Sequence, residues 1–84
     1  MTNKDFIGAE KIKGIRKISW KNEQGKHRYI ICVEYKPTKN RRGQVRRYTW
    51  NDKLPFTACA FLENARLAWS YEFEQGTITE YFAI

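Results

Sequence analysis

The spacing of apolar residues along this chain changes twice, and these changes constrain its fold more than any other feature. Apolar and polar residues alternate in segments between residues 12 and 50, recur at helical spacing over about 54–68, and alternate again after residue 69. A period of two is typical of strands with one buried face, and a period near 3.6 of an amphipathic helix. The chain is therefore predicted to form strands, then one helix, then further strands.

The first half is predicted to hold three antiparallel strands. Residues 28–36 alternate most regularly and are rich in β-branched and aromatic side chains. Residues 12–20 are predicted to form the strand that pairs with residues 28–36, although the isoleucines there recur every three residues. Residues 44–50 are predicted to form the third strand. Gly25 supplies the positive φ that a hairpin loop between the first two strands often needs. Two short connections favour a three-stranded meander.

A helix is predicted over about residues 54–68, with Asp52 as its N-cap and Pro55 in its first turn. Its apolar positions are Ala58, Phe61, Leu62, Ala65, Ala68 and Trp69. Beyond the helix, the alternation of aromatic residues and a turn at Gly76 favour a second hairpin. The alternative is a helix that continues to Gln75, with Gly76 as the residue that ends it.

These elements predict one α+β domain over residues 1–84, an antiparallel sheet in the order β-β-β-α-β-β with one helix packed on one face. Its parts are a basic sheet region over about 11–50, the helix, and a C-terminal strand or hairpin over about 69–83. A chain of 84 residues can bury one modest core. Its 42% hydrophobic and 15% aromatic residues argue against disorder.

The sequence also predicts a compartment. It has no apolar run long enough to span a membrane, and its first residues lack the apolar core of a signal peptide, so a cytoplasmic (intracellular) location without membrane contact is predicted. Cys32 and Cys59 have neither CxxC nor metal-site spacing. They are predicted to be buried, reduced thiols.

The residues suited to catalysis are few. His27 is the one histidine, and it is predicted beside a turn between two basic residues. Glu72 and Glu74 stand two residues apart, a pattern that an exposed polar strand face explains better than a hydrolase site. No nucleophile motif or phosphate-binding glycine loop occurs. The sequence therefore predicts no enzyme, no metal site and no cofactor.

Charge is distributed unevenly along the chain. Residues 1–50 carry 14 Lys and Arg against 4 Asp and Glu, or +10, whereas residues 51–84 carry 2 against 5, or −3, which together give the net +7. The densest segment, residues 36–47, holds six cations and no acid: Lys36, Lys39, Arg41, Arg42, Arg46 and Arg47. Such a distribution favours an anionic partner.

Arginines and aromatic residues are interleaved at residues 26–29 and 46–50, a combination that suits phosphate neutralisation and base stacking. The predicted function is a small non-catalytic module that binds DNA or RNA through its basic sheet and the 36–47 loop. Predicted contact residues are Arg16, Lys17, Arg28, Lys39, Arg41, Arg42, Arg46 and Arg47, with Tyr48 and Trp50 as candidates for base stacking. The competing interpretation places Tyr48 and Trp50 in the core.

Three segments carry a likeness to known domains: GIRK at residues 14–17, GQVRRYTW at residues 43–50, and the alanine-containing helix from Pro55. Over about residues 12–68 the chain resembles the small DNA-binding domains of the AP2 type and the arm-binding domains of tyrosine integrases. In those families the sheet enters the major groove and the helix backs it. The resemblance implies that Arg16, Arg28, Arg46 and Arg47 contact the groove or phosphates.

A second class of function also fits. Short, charge-polarised chains without catalytic residues are typical of phage or mobile-element accessory proteins that bind and inhibit or modulate a host protein. On this hypothesis the basic face docks on an acidic protein surface. The C-terminal strands, which carry Tyr71, Phe73, Tyr81 and Phe82, are in addition a candidate edge for a homodimer.

Overall fold

The protein is represented by a computed structural model, and the structure describes residues 8–84. A short 3₁₀ turn, Ala9–Lys11, precedes five strands and one helix. These are β1 (Ile12–Lys21), β2 (His27–Tyr35), β3 (Val45–Thr49), α1 (Phe56–Asn64), β4 (Arg66–Glu72) and β5 (Ile78–Ala83). All neighbouring strands are antiparallel, in the order β3-β2-β1-β5-β4, which confirms the predicted α+β class.

The structure bears on the predicted absence of a membrane-spanning helix, but not on the prediction about a signal peptide. The prediction about a signal peptide depends on the first residues, and residues 1–7 lie outside the described residues. Within residues 8–84, no helix is long and apolar enough to cross a bilayer.

β1 lies at the centre of the sheet, between β2 and β5. A bulge explains its irregular isoleucine spacing, because Ile12 pairs with Tyr35 while Gly14 pairs with the preceding Glu34, which leaves Lys13 unpaired. The extra residue places Ile12 and Ile15 among the buried core residues although they are three apart. Because residues three apart in a regular strand point to opposite faces, Ile18 lies on the other face of the sheet.

The core lies between α1 and one face of the sheet, here called the helix face. Ile15, Ile31 and Val33 of this face are buried against Ala58 and Phe61 of α1. Tyr29, Tyr35, Tyr48, Leu54, Leu62 and Ala65 pack around this cluster and are partly buried. The opposite side of the sheet, which α1 does not cover, is called the open face. Its residues include Arg16, Ile18, Arg28, Cys32, Glu34, Arg47, Arg66, Trp69, Tyr71 and Tyr81.

The helix is shorter than predicted. It ends at Asn64, whose side-chain amide donates to the Ala60 carbonyl at 2.9 Å, and Ala65 is extended. Ala68 and Trp69, predicted on its buried side, lie exposed in β4. The prediction was wrong here because residues 66–72 obtain backbone hydrogen bonds by pairing with β5, and this tertiary gain outweighs local helix propensity.

The predicted N-cap is also wrong. Pro55 is the N-cap of α1, without a side-chain cap bond. The Asp52 carboxylate instead accepts hydrogen bonds from the Thr49 backbone N–H at 2.7 Å and from the Thr49 hydroxyl at 3.1 Å. Asp52 therefore fixes the turn that ends β3.

The second hairpin is confirmed, and the alternative of a helix to Gln75 is wrong. Its turn is closed by the Phe73 N–H, which donates to the Thr77 carbonyl at 2.7 Å, and Gly76 adopts a φ of 94°. The thiols are both free, as predicted, but the prediction that they are buried is wrong. Cys59 is exposed on α1 and Cys32 is half-buried on the open face.

Candidate nucleic-acid interface

One row of side chains crosses all five strands on the open face. In register, Arg47 lies opposite Cys32, Cys32 opposite Arg16, Arg16 opposite Tyr81, and Tyr81 opposite Trp69. With strands about 4.8 Å apart, the row extends over about 19 Å. It places two guanidinium groups on one half of the sheet and two aromatic rings on the other.

Arg16, at the centre of this row, is held by three neighbours. Its Nη2 lies 3.7 Å from Glu34 Oε2. Its guanidinium carbon lies 5.5 Å from the Trp69 ring centroid and 5.7 Å from that of Tyr81. The two rings stack nearly parallel, with centroids 5.6 Å apart. Cation–π contacts of this kind orient the guanidinium, and the side chain remains 40% exposed.

Tyr81 reaches Glu34 because residue 14 is glycine. The Tyr81 hydroxyl donates to Glu34 Oε1 at 3.0 Å. A Cβ at position 14 would overlap the end of the Tyr81 ring, so any larger residue there would displace it. Glu34 thus pairs with Arg16 and accepts from Tyr81. Both contacts engage the one carboxylate of residues 8–84 that borders the row.

Burial raises the pKa of Tyr81 above 10.0, and its hydrogen bond to Glu34 and the nearby Glu34 charge raise it further, while Arg16 lowers it. The folded state therefore favours the neutral phenol. The stability linked to this shift is fully present below the ordinary pKa of 10.0 and is lost as the pH rises through the folded-state pKa.

This linkage gives a prediction for Tyr81→Phe. At neutral pH the variant should lose about 1 kcal/mol of unfolding free energy, because Glu34 loses its donor. Above about pH 10 the gap between the two proteins should close, because tyrosinate beside Glu34 destabilises only the parent protein. Urea unfolding at about pH 8 and about pH 11 measures both values. A gap of the same size at both pH values would contradict the role given to Tyr81.

A second arginine–aromatic pair lies near the end of β3. The Arg28 guanidinium carbon sits 3.9 Å from the Trp50 ring centroid, and Arg28 Nη1 donates to the His27 carbonyl at 2.9 Å. Trp50 follows β3 in the turn that Asp52 fixes, and its side chain is 41% exposed. The interpretation that buries Trp50 in the core is therefore wrong, whereas Tyr48 does pack against the core on the helix face.

The structure divides the predicted contact residues among three regions. Arg16, Arg28 and Arg47 share the open face. The other predicted residues lie elsewhere: Lys17, Arg46 and Tyr48 on the helix face, and Lys39, Arg41 and Arg42 in the loop between β2 and β3.

Sequence reasoning missed the half of the open face that β4 and β5 supply. Arg66, Trp69 and Tyr71 of β4 lie beside Tyr81 of β5 on this face. Arg66 was predicted within the helix, Trp69 at its C-terminal end, and the two tyrosines in a tail with negative net charge. The alternation of Trp69 and Tyr71 was a signal for their shared face, but nothing local indicated that this face would join that of the arginines.

Within residues 8–84, no three His, Cys, Asp or Glu side chains are grouped so that they could hold a metal ion. Comparisons with protein-family models, curated proteins and solved structures found no match for this chain. The function of the open face must therefore be inferred from its own geometry.

Proposed function

We propose that this chain is a small non-catalytic nucleic-acid-binding module that uses the open face of its sheet. The observation that carries the proposal is the row in which Arg47 and Arg16 continue into Tyr81 and Trp69. Guanidinium groups neutralise phosphates with release of counterions, and aromatic rings stack on bases. Both parts lie on a face that α1 leaves uncovered.

Of the three predicted contact arginines that lie on the open face, two are already oriented. Arg16 lies over Trp69 and Tyr81, and Arg28 lies over Trp50. A guanidinium that stacks on a ring keeps its edge N–H groups available for phosphate or base oxygens. Because the side chains are held before binding, less rotamer entropy is lost when the ligand docks.

The exposed rings favour unpaired bases. Trp50, Trp69 and Tyr71 are 41%, 44% and 59% exposed, and they lie at the two ends of the open face. Stacking on such rings requires a base whose face is free, which a duplex does not offer. We therefore expect single-stranded DNA or RNA to bind more tightly than duplex of the same length, in contrast to the groove docking that the AP2-type resemblance implies.

A fluorescence titration tests this function. Trp50 and Trp69 report on stacking directly, so oligonucleotides of about 10 residues should quench their emission. The logarithm of affinity should fall linearly with the logarithm of salt concentration, with a slope near −2 for three phosphate contacts on a single strand. Absence of binding near physiological salt, together with binding to an acidic protein surface, would instead support an accessory protein that blocks a host partner.

The edge of the sheet at β4 favours a second interaction, with another copy of the chain. Every residue of β4 is exposed, including Leu67, Trp69 and Tyr71. The opposite edge strand, β3, carries Arg46 and Arg47, and charge of this kind discourages pairing between edges.

The sequence of β4 is suited to pairing with itself. A bulge at Ala68 interrupts β4 and leaves residues 69–72 as its longest regular run. An antiparallel register centred on Ser70 sets Trp69 of each copy opposite Tyr71 of the other, on the open face. Aromatic cross-strand pairs stabilise sheets, and this arrangement would join two open faces into one continuous surface.

We expect sedimentation velocity to show a concentration-dependent dimer. Tyr71→Lys should weaken it about tenfold or more, because both aromatic pairs are lost and like charges face each other. Val45→Lys adds the same charge at the β3 edge, at a residue that is 63% exposed, and should leave the dimer intact. Equal weakening by both variants would exclude the β4 edge.

A further inference from the structure

A groove of about 660 Å³ lies on the other side of the protein from the open face. The loop between β2 and β3 forms one wall, the helix-facing side of β3 forms the floor, and the 3₁₀ turn and Pro55 border the remainder. Tyr35 and Tyr48 lie in the groove and are anchored against the core. A volume of this size is typical of sites for small molecules.

The groove concentrates positive charge. Five cations line it, against the single carboxylate of Glu10: Lys11, Lys36, Arg41, Arg42 and Arg46. Among residues 8–84 the one ion pair joins Arg16 and Glu34, so none of these five cations is neutralised by a described carboxylate. Like charges gathered in one concavity attract a ligand that carries several negative charges.

The loop that carries Arg41 and Arg42 has a defined shape. The Tyr35 N–H donates to the Gln44 carbonyl at 2.7 Å, and the Thr38 N–H to the Arg41 carbonyl at 2.9 Å. Gly43 permits this path, because a Cβ there would lie 2.8 Å from the Tyr35 carbonyl oxygen. The Lys36 N–H also donates to the Lys11 carbonyl at 2.9 Å, which ties the loop to the 3₁₀ turn.

We propose that this groove binds a nucleotide, with Arg41, Arg42 and Arg46 on its phosphates and Tyr48 against its base. Arginine forks match phosphate oxygens, and a half-buried tyrosine on a strand offers a flat apolar wall. This site is separate from the open face, since Arg46 and Arg47 are adjacent and point to opposite sides of β3. It does not depend on nucleic-acid binding by the open face.

Calorimetric titration of the intact chain with ATP, AMP, adenosine and tripolyphosphate tests the proposal. We expect ATP to bind at least about tenfold more tightly than AMP, because it offers more charged oxygens to the three arginines, and adenosine to bind weakest. ATP should also exceed tripolyphosphate, because only ATP has a base. Equal affinity for ATP and tripolyphosphate would overturn the assignment to nucleotides.

Adjacent residues supply the matched variants. Arg46→Ala should weaken ATP binding about tenfold or more, since a hydrogen bond to a charged group is lost. Arg47→Ala removes the same charge one residue away and should leave ATP binding unchanged while it weakens binding of single-stranded oligonucleotides. Tyr48→Leu keeps apolar bulk in the core and should weaken ATP more than tripolyphosphate. Far-ultraviolet circular dichroism checks that each variant is folded.

The nucleotide can be free or can end a nucleic-acid strand, and competition distinguishes the two. A 5′-phosphorylated oligonucleotide that displaces ATP from the Arg47→Ala protein identifies a strand terminus, whereas ATP binding without such competition identifies a free nucleotide. Oligonucleotide binding that requires Arg47, in a protein that binds no ATP, would overturn the groove proposal and leave that of the open face. ATP binding that requires Arg46, in a protein that binds no oligonucleotide, would overturn the open-face proposal and leave the groove proposal standing.

Discussion

Phe61→Ala is expected to lower the free energy of unfolding by about 3–5 kcal/mol, measured by urea denaturation followed by circular dichroism. Phe61 is 1% exposed and is the largest fully buried side chain among residues 8–84. It fills the space between α1 and Ile15 and Val33 of the sheet. Removal of the ring leaves a cavity, because the close-packed side chains around it relax only in part.

The same helix contains the control. Phe56 begins α1 and is 63% exposed, so Phe56→Ala should change the unfolding free energy by no more than about 0.5 kcal/mol. A domain of this size has a net stability of only about 5–10 kcal/mol, so the Phe61 variant should lose a large share of it. Similar losses in both variants would contradict the placement of the core.

The second large effect is expected on the open face. Replacement of Arg16, Arg28 and Arg47 together by alanine should weaken single-strand binding about 100-fold at low salt, because three charged contacts are lost. It should also move the salt slope toward zero by about 2. Fluorescence titration at several salt concentrations measures both quantities.

A control variant with the same loss of charge distinguishes direct contact by the three arginines from general electrostatic attraction of the nucleic acid to a basic protein. Lys21, Lys26 and Lys39 are exposed and lie outside the row on the open face. Their triple replacement by alanine lowers the net charge of +7 by the same three units and should weaken binding only slightly. If the lysine variant lost as much affinity as the arginine variant, the open face would not be the contact surface.

A third variant retains the positive charges but removes the planar guanidinium groups. It replaces Arg16, Arg28 and Arg47 together by lysine. The slope of log affinity against log salt should be unchanged, because three cations remain. The affinity should still fall, because an ammonium group cannot both stack on Trp50 or Trp69 and form two parallel bonds to a phosphate.

The strands of the first half could be predicted because their signals are local. Residues 28–36 alternate, Gly25 closes the preceding turn with a φ of 79°, and the connections are short. The boundaries of α1 could not be predicted, because residues 65–68 favour a helix locally and become strand only when β5 is present to pair with them. Residues that pair in space but lie far apart along the chain are not indicated by the local spacing of apolar residues.

The candidate sites, like the fold, have some features that the sequence predicts and others that depend on long-range strand pairing. The predicted strand over residues 44–50 implies that the adjacent Arg46 and Arg47 point to opposite faces, and the register of β3 agrees. Which residues of other strands join each of them depends on register and on the bulge at Lys13. A shift of one residue in the strand register would move a strand's side chains to the other face of the sheet. The amino-acid composition does not indicate whether such a shift occurs.

The sequence by itself therefore determined the class of fold, the strands of the basic half, and the opposite directions of two adjacent arginines, because these follow from backbone periodicity. Only the tertiary structure decided that β5 pairs with β1. That pairing brings Tyr81 and Trp69 beside Arg16, while Arg41 and Arg42 lie around a separate groove. The reason is that long-range strand pairing is selected by the burial of one common core, which depends on all its elements at once.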